Sequence, residues 1–377
     1  MIKSKHKISE ENAMKIIERP RTIIDNPDSL FGYFGWPSVA RLKDGTLAAV
    51  CSGFRLRHIC PFGKAVISYS RDEGESWTRP AVLIDTPLDD RDAGICVDGD
   101  RVIVTSFNNR PQDQLNWISN CLRSGDFGPN LKLMMAYVGA VPENACDKYL
   151  GAVYKISRDG GYTFGEIRKS PVSSPHGPFV TNDGRIMWVG REFEYKDPKD
   201  VKDYSHVSCA VMNEKEEFEI ISHIPPCTDA FGDGFACEPH AIQLESGRIL
   251  VAIRVQRSGE HPLFTVYLCH SDDGGKTFTV PVRLIPDNAG SPPHFILTKN
   301  GELVMSYACR SGNYGIRAIV SRDGGETFGE EIKLTENALS NDLGYPATVE
   351  RKDGTLLTIW YEREEKYAVI KQMIWKL

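Results

Sequence analysis

Ser70-Arg-Asp72-Glu-Gly74-Glu-Ser-Trp77 is the first of four copies of one eight-residue phrase, Ser-x-Asp-x-Gly-x-x-Trp/Phe. The others are Ser157-Arg-Asp159-Gly-Gly161-Tyr-Thr-Phe164, Ser271-Asp-Asp273-Gly-Gly275-Lys-Thr-Phe278 and Ser321-Arg-Asp323-Gly-Gly325-Glu-Thr-Phe328. Each reads as a hairpin device. The Asp carboxylate takes backbone N–H groups of its own turn, the Gly supplies a positive φ, and the aromatic ring buries itself beneath.

Around these copies runs a second repeat, a glycine turn followed by an apolar alternating run, at 40–50, 95–107, 179–191, 241–254, 295–307 and 347–361. The turn glycines Gly45, Gly99, Gly184, Gly247, Gly301 and Gly354 lie roughly 53 to 85 residues apart, the spacing of four-stranded sheets with variable loops. Six copies predict an all-β, six-bladed β-propeller in a single domain over 1–377. Blade 3 carries only an eroded phrase, Asn213-Glu-Lys-Glu-Glu-Phe218, and blade 6 runs into the C-terminus. A circular fold must then be closed from the other end, so KIIERPRTIID (15–25) is expected to supply a strand to blade 6.

Composition bounds the class. A chain of 377 residues with 41% hydrophobic side chains can bury a large core unaided. Its net charge of −6 argues against nucleic acid as a partner, and no stretch reads as membrane-spanning. The start, MIKSKHKISEENAMKII, has no apolar secretory region. Ten cysteines without a CxxC or framework spacing, several within expected strands, read as reduced core residues of a cytoplasmic protein.

Inner strands of a propeller converge on its axis, so site residues should recur at matched offsets from the turn glycines. Ahead of them come Trp36, Asp92, His176, His240, His294 and Tyr345; behind them come Arg55, Arg110, Arg191, Arg254, Arg310 and Tyr361. This pattern predicts a polar, cationic funnel for an anionic ligand. Any single Arg at a strand end is more often a solvated cap than a ligand contact.

The repeated phrase is the Asp box, and its repetition resembles the sialidase-type β-propellers. The stretch from Gly344-Tyr345 through Asp353-Gly354 to Tyr361-Glu362 is similar to that family's last blade, and the resemblance implies a Tyr nucleophile at Tyr345. Glu238-Pro239-His240 with the strand ending at Arg254 resembles the element that carries the family's Glu base and a carboxylate-binding Arg; Arg310 or Arg317 falls on a second such Arg. The chemistry has a reason. A substrate with a carboxylate on its anomeric carbon repels a carboxylate nucleophile, whereas a neutral Tyr activated by Glu does not.

The chain departs from the family at two places. Gly35, in Phe34-Gly35-Trp36-Pro37, stands where a triad Arg is expected, and the 56–64 loop holds no Asp to act as acid. His58 or Asp92 is the candidate proton donor, and Arg57 or Arg91 the candidate replacement charge. The resemblance therefore implies a sialidase-like exo-glycosidase acting on a terminal acidic sugar without a cofactor. Arg55, Arg57, Arg91, Arg191, Arg254, Arg310, His176, His240 and His294 are its candidate substrate contacts.

Two alternatives stand beside it. One is a glycan-binding propeller without catalysis. The other is a metal-dependent lyase or hydrolase in which His176, His240 and His294, each after a proline, share a divalent ion. The stretch 108–149 interrupts the blade rhythm, and Leu115, Ile118 and Leu122 recur at helical spacing. It is expected to hold a helix ending near Gly125 and to form a lid or a subunit contact.

Overall fold

The computed structural model describes residues 14–125, 128–193, 206–286 and 292–377. Most of the N-terminal stretch read above for a leader, 1–13, lies outside them.

Among the described residues, six antiparallel sheets of four or five strands follow one another along the chain, with a separate two-stranded ribbon of Thr228–Asp229 and Gly232–Asp233. Their inner strands are Tyr33–Arg41, Asp89–Asp98, a broken strand of Val172–Ser173 and Phe179–Val180, Phe235–Gln243, His294–Leu297 and Leu343–Glu350. Each inner strand contacts that of the next blade, and the sixth contacts the first, so the ring is closed. In blade 6 the outermost strand comes from the other terminus: Lys15–Ile24 pairs antiparallel with Ala368–Lys376.

The apolar alternation of the repeats explains where the core lies. Each blade is buried on both faces, and six hydrophobic clusters fill the six gaps between neighbours. Val50 and Ile67 of blade 1 meet Ile95 and Val104 of blade 2, for example, while Val304 and Ile316 of blade 5 meet Leu356 and Trp360 of blade 6.

The Asp boxes fasten these gaps. In the first, Asp72 accepts the Ser76 N–H at 2.9 Å and Ser70 Oγ accepts the Gly74 N–H at 2.8 Å. Asp159, Asp273 and Asp323 do the same for Thr163, Thr277 and Thr327, each at 2.9 Å. The glycine of each box rests on the preceding blade. A Cβ at Gly275, where φ is +88°, would stand 2.5 Å from Met187 of blade 3. The eroded phrase of blade 3 works similarly: Asn213 Oδ1 accepts the N–H groups of Lys215 and Glu217, and the Glu216 carbonyl receives the Tyr154 hydroxyl of blade 2.

The interruption at 108–149 holds three helices, Pro111–Arg123, Pro129–Val138 and Ala145–Tyr149. Ile118, Leu131 and Met134 pack on Leu56 and Cys60, and Gln114 donates to Asp89. The helices thus buttress the loop that follows the second strand of blade 1. Among the described residues, none of 110–149 lines the funnel cavities described below.

Candidate active site

Four inner strands carry the same irregularity. Pairing with the second strand slips between Gly35 and Ser38, Arg91 and Gly94, Cys237 and His240, and Gly344 and Ala347. Within the slips, Trp36, Asp92, Glu238 and Tyr345 adopt φ of 57°, 42°, 49° and 52°. Left-handed backbone at a non-glycine residue costs about 1–3 kcal/mol and gathers at functional sites, and a bulge re-aims the side chain it carries. Three of the four also precede proline, which disfavours helical backbone. Equivalent strained positions therefore bring Tyr345, Glu238, Asp92 and Trp36 to the floor of one funnel.

This register corrects the offsets read from sequence. Glu238, not His240, is the counterpart of Tyr345; the three histidines sit two residues deeper. Their rings cluster on the axis with centroids 4.5–5.4 Å apart. His240 Nδ1 accepts the Phe295 N–H at 2.9 Å, His294 Nδ1 accepts the Thr348 N–H at 3.3 Å, and His176 Nδ1 meets Ser38 Oγ at 2.9 Å. Burial drives all three below the usual imidazole range, His240 to about 3. They are neutral ties between inner strands, not contacts for a ligand in the funnel. Among the described residues no group of three or more His, Cys, Asp or Glu side chains stands in metal-ligating geometry.

At the centre of the funnel the Tyr345 hydroxyl donates to Glu238 Oε1 at 2.6 Å, and Arg254 is bonded to Glu238 Oε2. Burial raises the Glu238 pKa, but the Arg254 charge and the Tyr345 hydroxyl outweigh it and hold the carboxylate ionised. Burial, reinforced by the Glu238 and Asp92 charges, keeps the Tyr345 phenol protonated far above its ordinary range. Asp92 has the opposite character to Glu238. Buried, with Oδ1 unpartnered among the described residues, it is raised to about 7 by desolvation against the pull of Arg91 and with the push of Glu238. Of two neighbouring carboxyls, Glu238 is thus held charged while Asp92 is pushed up towards neutrality.

Arg310 lies over the Tyr345 ring at 5.4 Å and donates to the Leu343 carbonyl at 2.6 Å and the Tyr361 hydroxyl at 3.0 Å, both uncharged acceptors. It lines a cavity of about 540 Å³ with His58, Arg254, Phe264, Ser311, Asn341 and Asp342. A second cavity of about 210 Å³ opens on the other side of Glu238 and Arg254, with Asp92, Arg191, Phe107, Phe193 and Phe235 in its wall. Arg191 stacks there on Phe235 at 4.4 Å.

The remaining arginines divide. Arg55 is fully buried, ion-paired with Asp89 at 2.6 Å, so it cannot reach a ligand as the sequence suggested. Arg57 stacks on Trp117 of the helical insertion at 4.7 Å and lines neither cavity. Arg91 is buried over the Trp36 ring at 4.1 Å and donates to the His58 carbonyl at 2.9 Å. Arg317, the other candidate beside Arg310, is buried and paired with Glu331.

Sequence reasoning missed Asp342. It accepts the hydroxyls of Tyr33 at 2.9 Å and Tyr361 at 3.0 Å and pairs with His58 Nδ1 at 2.8 Å. A side chain at Gly35 would point at Tyr33 and Tyr361, so these tyrosines and their carboxylate occupy the place towards which a first-blade Arg would extend.

No protein-family profile matches the chain, and no curated protein matches it. Solved structures do. A protein of unknown function from Dyadobacter fermentans DSM 18053 is similar over 97% of this chain and 100% of its own, at 18% identity and a TM-score of 0.75. The NanB sialidase of Streptococcus pneumoniae aligns over 95% of this chain and 70% of its own, at 12% identity and 0.64. The Trypanosoma rangeli sialidase aligns over 96% of this chain and 58% of its own, at 12% identity and 0.57. The fold is therefore the six-bladed propeller of the sialidases.

Proposed function

We propose that this chain is a retaining, sialidase-like exo-glycosidase that hydrolyses a terminal acidic sugar. The observation that carries the reading is the 2.6 Å bond from the Tyr345 hydroxyl to a Glu238 carboxylate that Arg254 keeps ionised. Tyr345 is the nucleophile: as its oxygen bonds the anomeric carbon, its proton passes to Glu238. Arg310, which donates to the neutral Leu343 carbonyl and Tyr361 hydroxyl, and Arg254 hold the anionic group of the sugar, with Arg191 serving the adjoining cavity. His58 or Asp92 protonates the leaving oxygen. Water then cleaves the glycosyl–tyrosine bond, and Glu238 returns the proton to Tyr345.

Hydrolysis of a panel of fluorogenic glycosides, comprising sialosides, deaminated and other ulosonic acids, uronides and neutral sugars, tests this. Release of an acidic sugar that is indifferent to chelator supports the reading. Exclusive release of neutral sugars would contradict the acidic-sugar reading, whereas silence across the panel while glycans are bound favours the non-catalytic alternative, for which Gly35 in place of an Arg is the supporting feature.

A further inference from the structure

The leaving oxygen needs a proton donor, and the site holds two candidates in contrasting settings. Asp92 is 4% exposed and stands in the wall of the smaller cavity, on the other side of Glu238 and Arg254. The His58 side chain is 44% exposed at the wall of the larger cavity, where a departing group has a way out to solvent.

Everything around His58 fixes its position. Its carbonyl receives Arg55 Nη2 and Arg91 Nη1, each at 2.9 Å. Its ring stands edge-on to Trp36 at 5.0 Å. Its loop is backed by the helical insertion through Leu56 and Cys60. Nδ1 is taken by Asp342 at 2.8 Å and by the Tyr33 hydroxyl at 3.0 Å, which leaves Nε2 for a ligand. Asp342 is itself held ionised: burial raises its pKa, but His58, Tyr33 and Tyr361 outweigh that and bring it to about 2.

We infer that His58, oriented by Asp342, is the residue that protonates the departing glycosidic oxygen, so that a His–Asp pair replaces a lone carboxylic acid. The inference rests on the glycosidase reading above. In the first step Nε2–H of the imidazolium gives its proton to the glycosidic oxygen as the C–O bond breaks and the Tyr345–carbon bond forms. In the second, neutral Nε2 takes a proton from the attacking water, which restores the imidazolium. Asp342 keeps Nδ1–H bonded throughout and is a positioning residue.

The groups that face the imidazole set the sign of its pH response. Burial lowers its pKa below 6.5, Asp342 raises it, and Arg91 and Arg310 lower it; the Tyr33 and Tyr361 phenols stay neutral. The protonated donor is lost as pH rises, so kcat/KM for a poor leaving group falls along a limb with its midpoint below pH 6.5. Without the Asp342 charge that limb moves to lower pH.

The test uses the full-length protein with two glycosides of N-acetylneuraminic acid, or of whichever sugar the panel releases: the activated methylumbelliferyl glycoside and the methyl glycoside. His58→Ala and Asp342→Asn are expected to lose about 100-fold or more on the methyl glycoside and far less on the activated one. Asp342→Asn is also expected to shift the falling limb acidward, and the His58 imidazole titration followed by NMR in the same direction. Equal losses on both substrates, or an unmoved limb in Asp342→Asn, would overturn the inference while the glycosidase reading stands. A wild type that hydrolyses no glycoside would overturn both.

Discussion

Glu238 is held from two sides, by the hydroxyl of Tyr345 at 2.6 Å on one oxygen and by Arg254 on the other, and both Tyr345 and Glu238 sit on left-handed backbone just before a proline. The carboxylate is thus a structural keystone as well as the proposed base. Two variants separate the roles. Glu238→Gln leaves Arg254 without its counter-charge and is expected to lower stability by about 2–3 kcal/mol, under the range for sealed pairs because both side chains keep some solvent. Tyr345→Phe removes one hydrogen bond and leaves the ion pair, an effect of about 1–2 kcal/mol. Urea unfolding of the two variants gives the order; a larger loss in Tyr345→Phe contradicts it.

Arg310 and Arg254 differ in the same way. Arg310 bonds to two neutral oxygens, so Arg310→Gln is expected to fold normally and to raise KM for an anionic glycoside by about 10–100-fold, with little change in binding of a neutral analogue. Arg254→Gln strands the Glu238 charge and should lose stability as well as affinity. Steady-state kinetics paired with thermal melts distinguishes the two.

The axial histidines make a pH prediction. His240 is held at about 3 in the folded protein and titrates near 6.5 when unfolded. Between those values the unfolded chain binds the extra proton, so acidification from pH 6.5 removes stability at up to about 1.4 kcal/mol per pH unit. Asp90 and Asp92, both raised to about 7, act in the opposite direction between pH 4 and 7, because there the folded state binds more protons. The informative quantity is a difference. Stability of His240→Asn minus that of wild type should grow as pH falls from 6.5 to 4, and a constant difference would contradict the assignment.

Gly94 marks where blades 2 and 3 touch. A Cβ there would stand 2.4 Å from the Gly177 nitrogen and 2.6 Å from the His176 carbonyl carbon. Backbone cannot move aside as a side-chain tip can, so Gly94→Ala is expected to cost more than about 3 kcal/mol. Gly99→Ala, at a turn with open space around it, pays only for its positive φ and should cost about 1 kcal/mol. Chemical denaturation of both variants checks the contrast.

The fold was legible because the propeller repeats its local chemistry: each Asp box closes its own turn through Ser, Asp and Gly, and those contacts are written within eight residues. The Tyr345–Glu238 pair was legible through family resemblance. The bulges were not. Their left-handed residues are specified by how two strands slip, and the sequence offset alone placed His240 level with Tyr345 when the slip puts Glu238 there. The recurring X-Pro of Trp36-Pro37, Glu238-Pro239 and Tyr345-Pro346 was the available signal. Asp342 escaped for another reason: beside Tyr361 of its own blade, its partners Tyr33 and His58 lie 309 and 284 residues away in the chain and meet it only because the ring closes between blades 6 and 1.

The central claim is that Tyr345 forms the bond to the sugar. Its most direct test is peptide mass mapping of wild type and Tyr345→Phe after incubation with a fluorinated, activated glycoside of the sugar the panel releases. A glycosyl mass is expected on the peptide containing Tyr345, absent from Tyr345→Phe, together with loss of turnover in that variant. A label on another residue, or a Tyr345→Phe variant that hydrolyses the substrate at the wild-type rate, would contradict it.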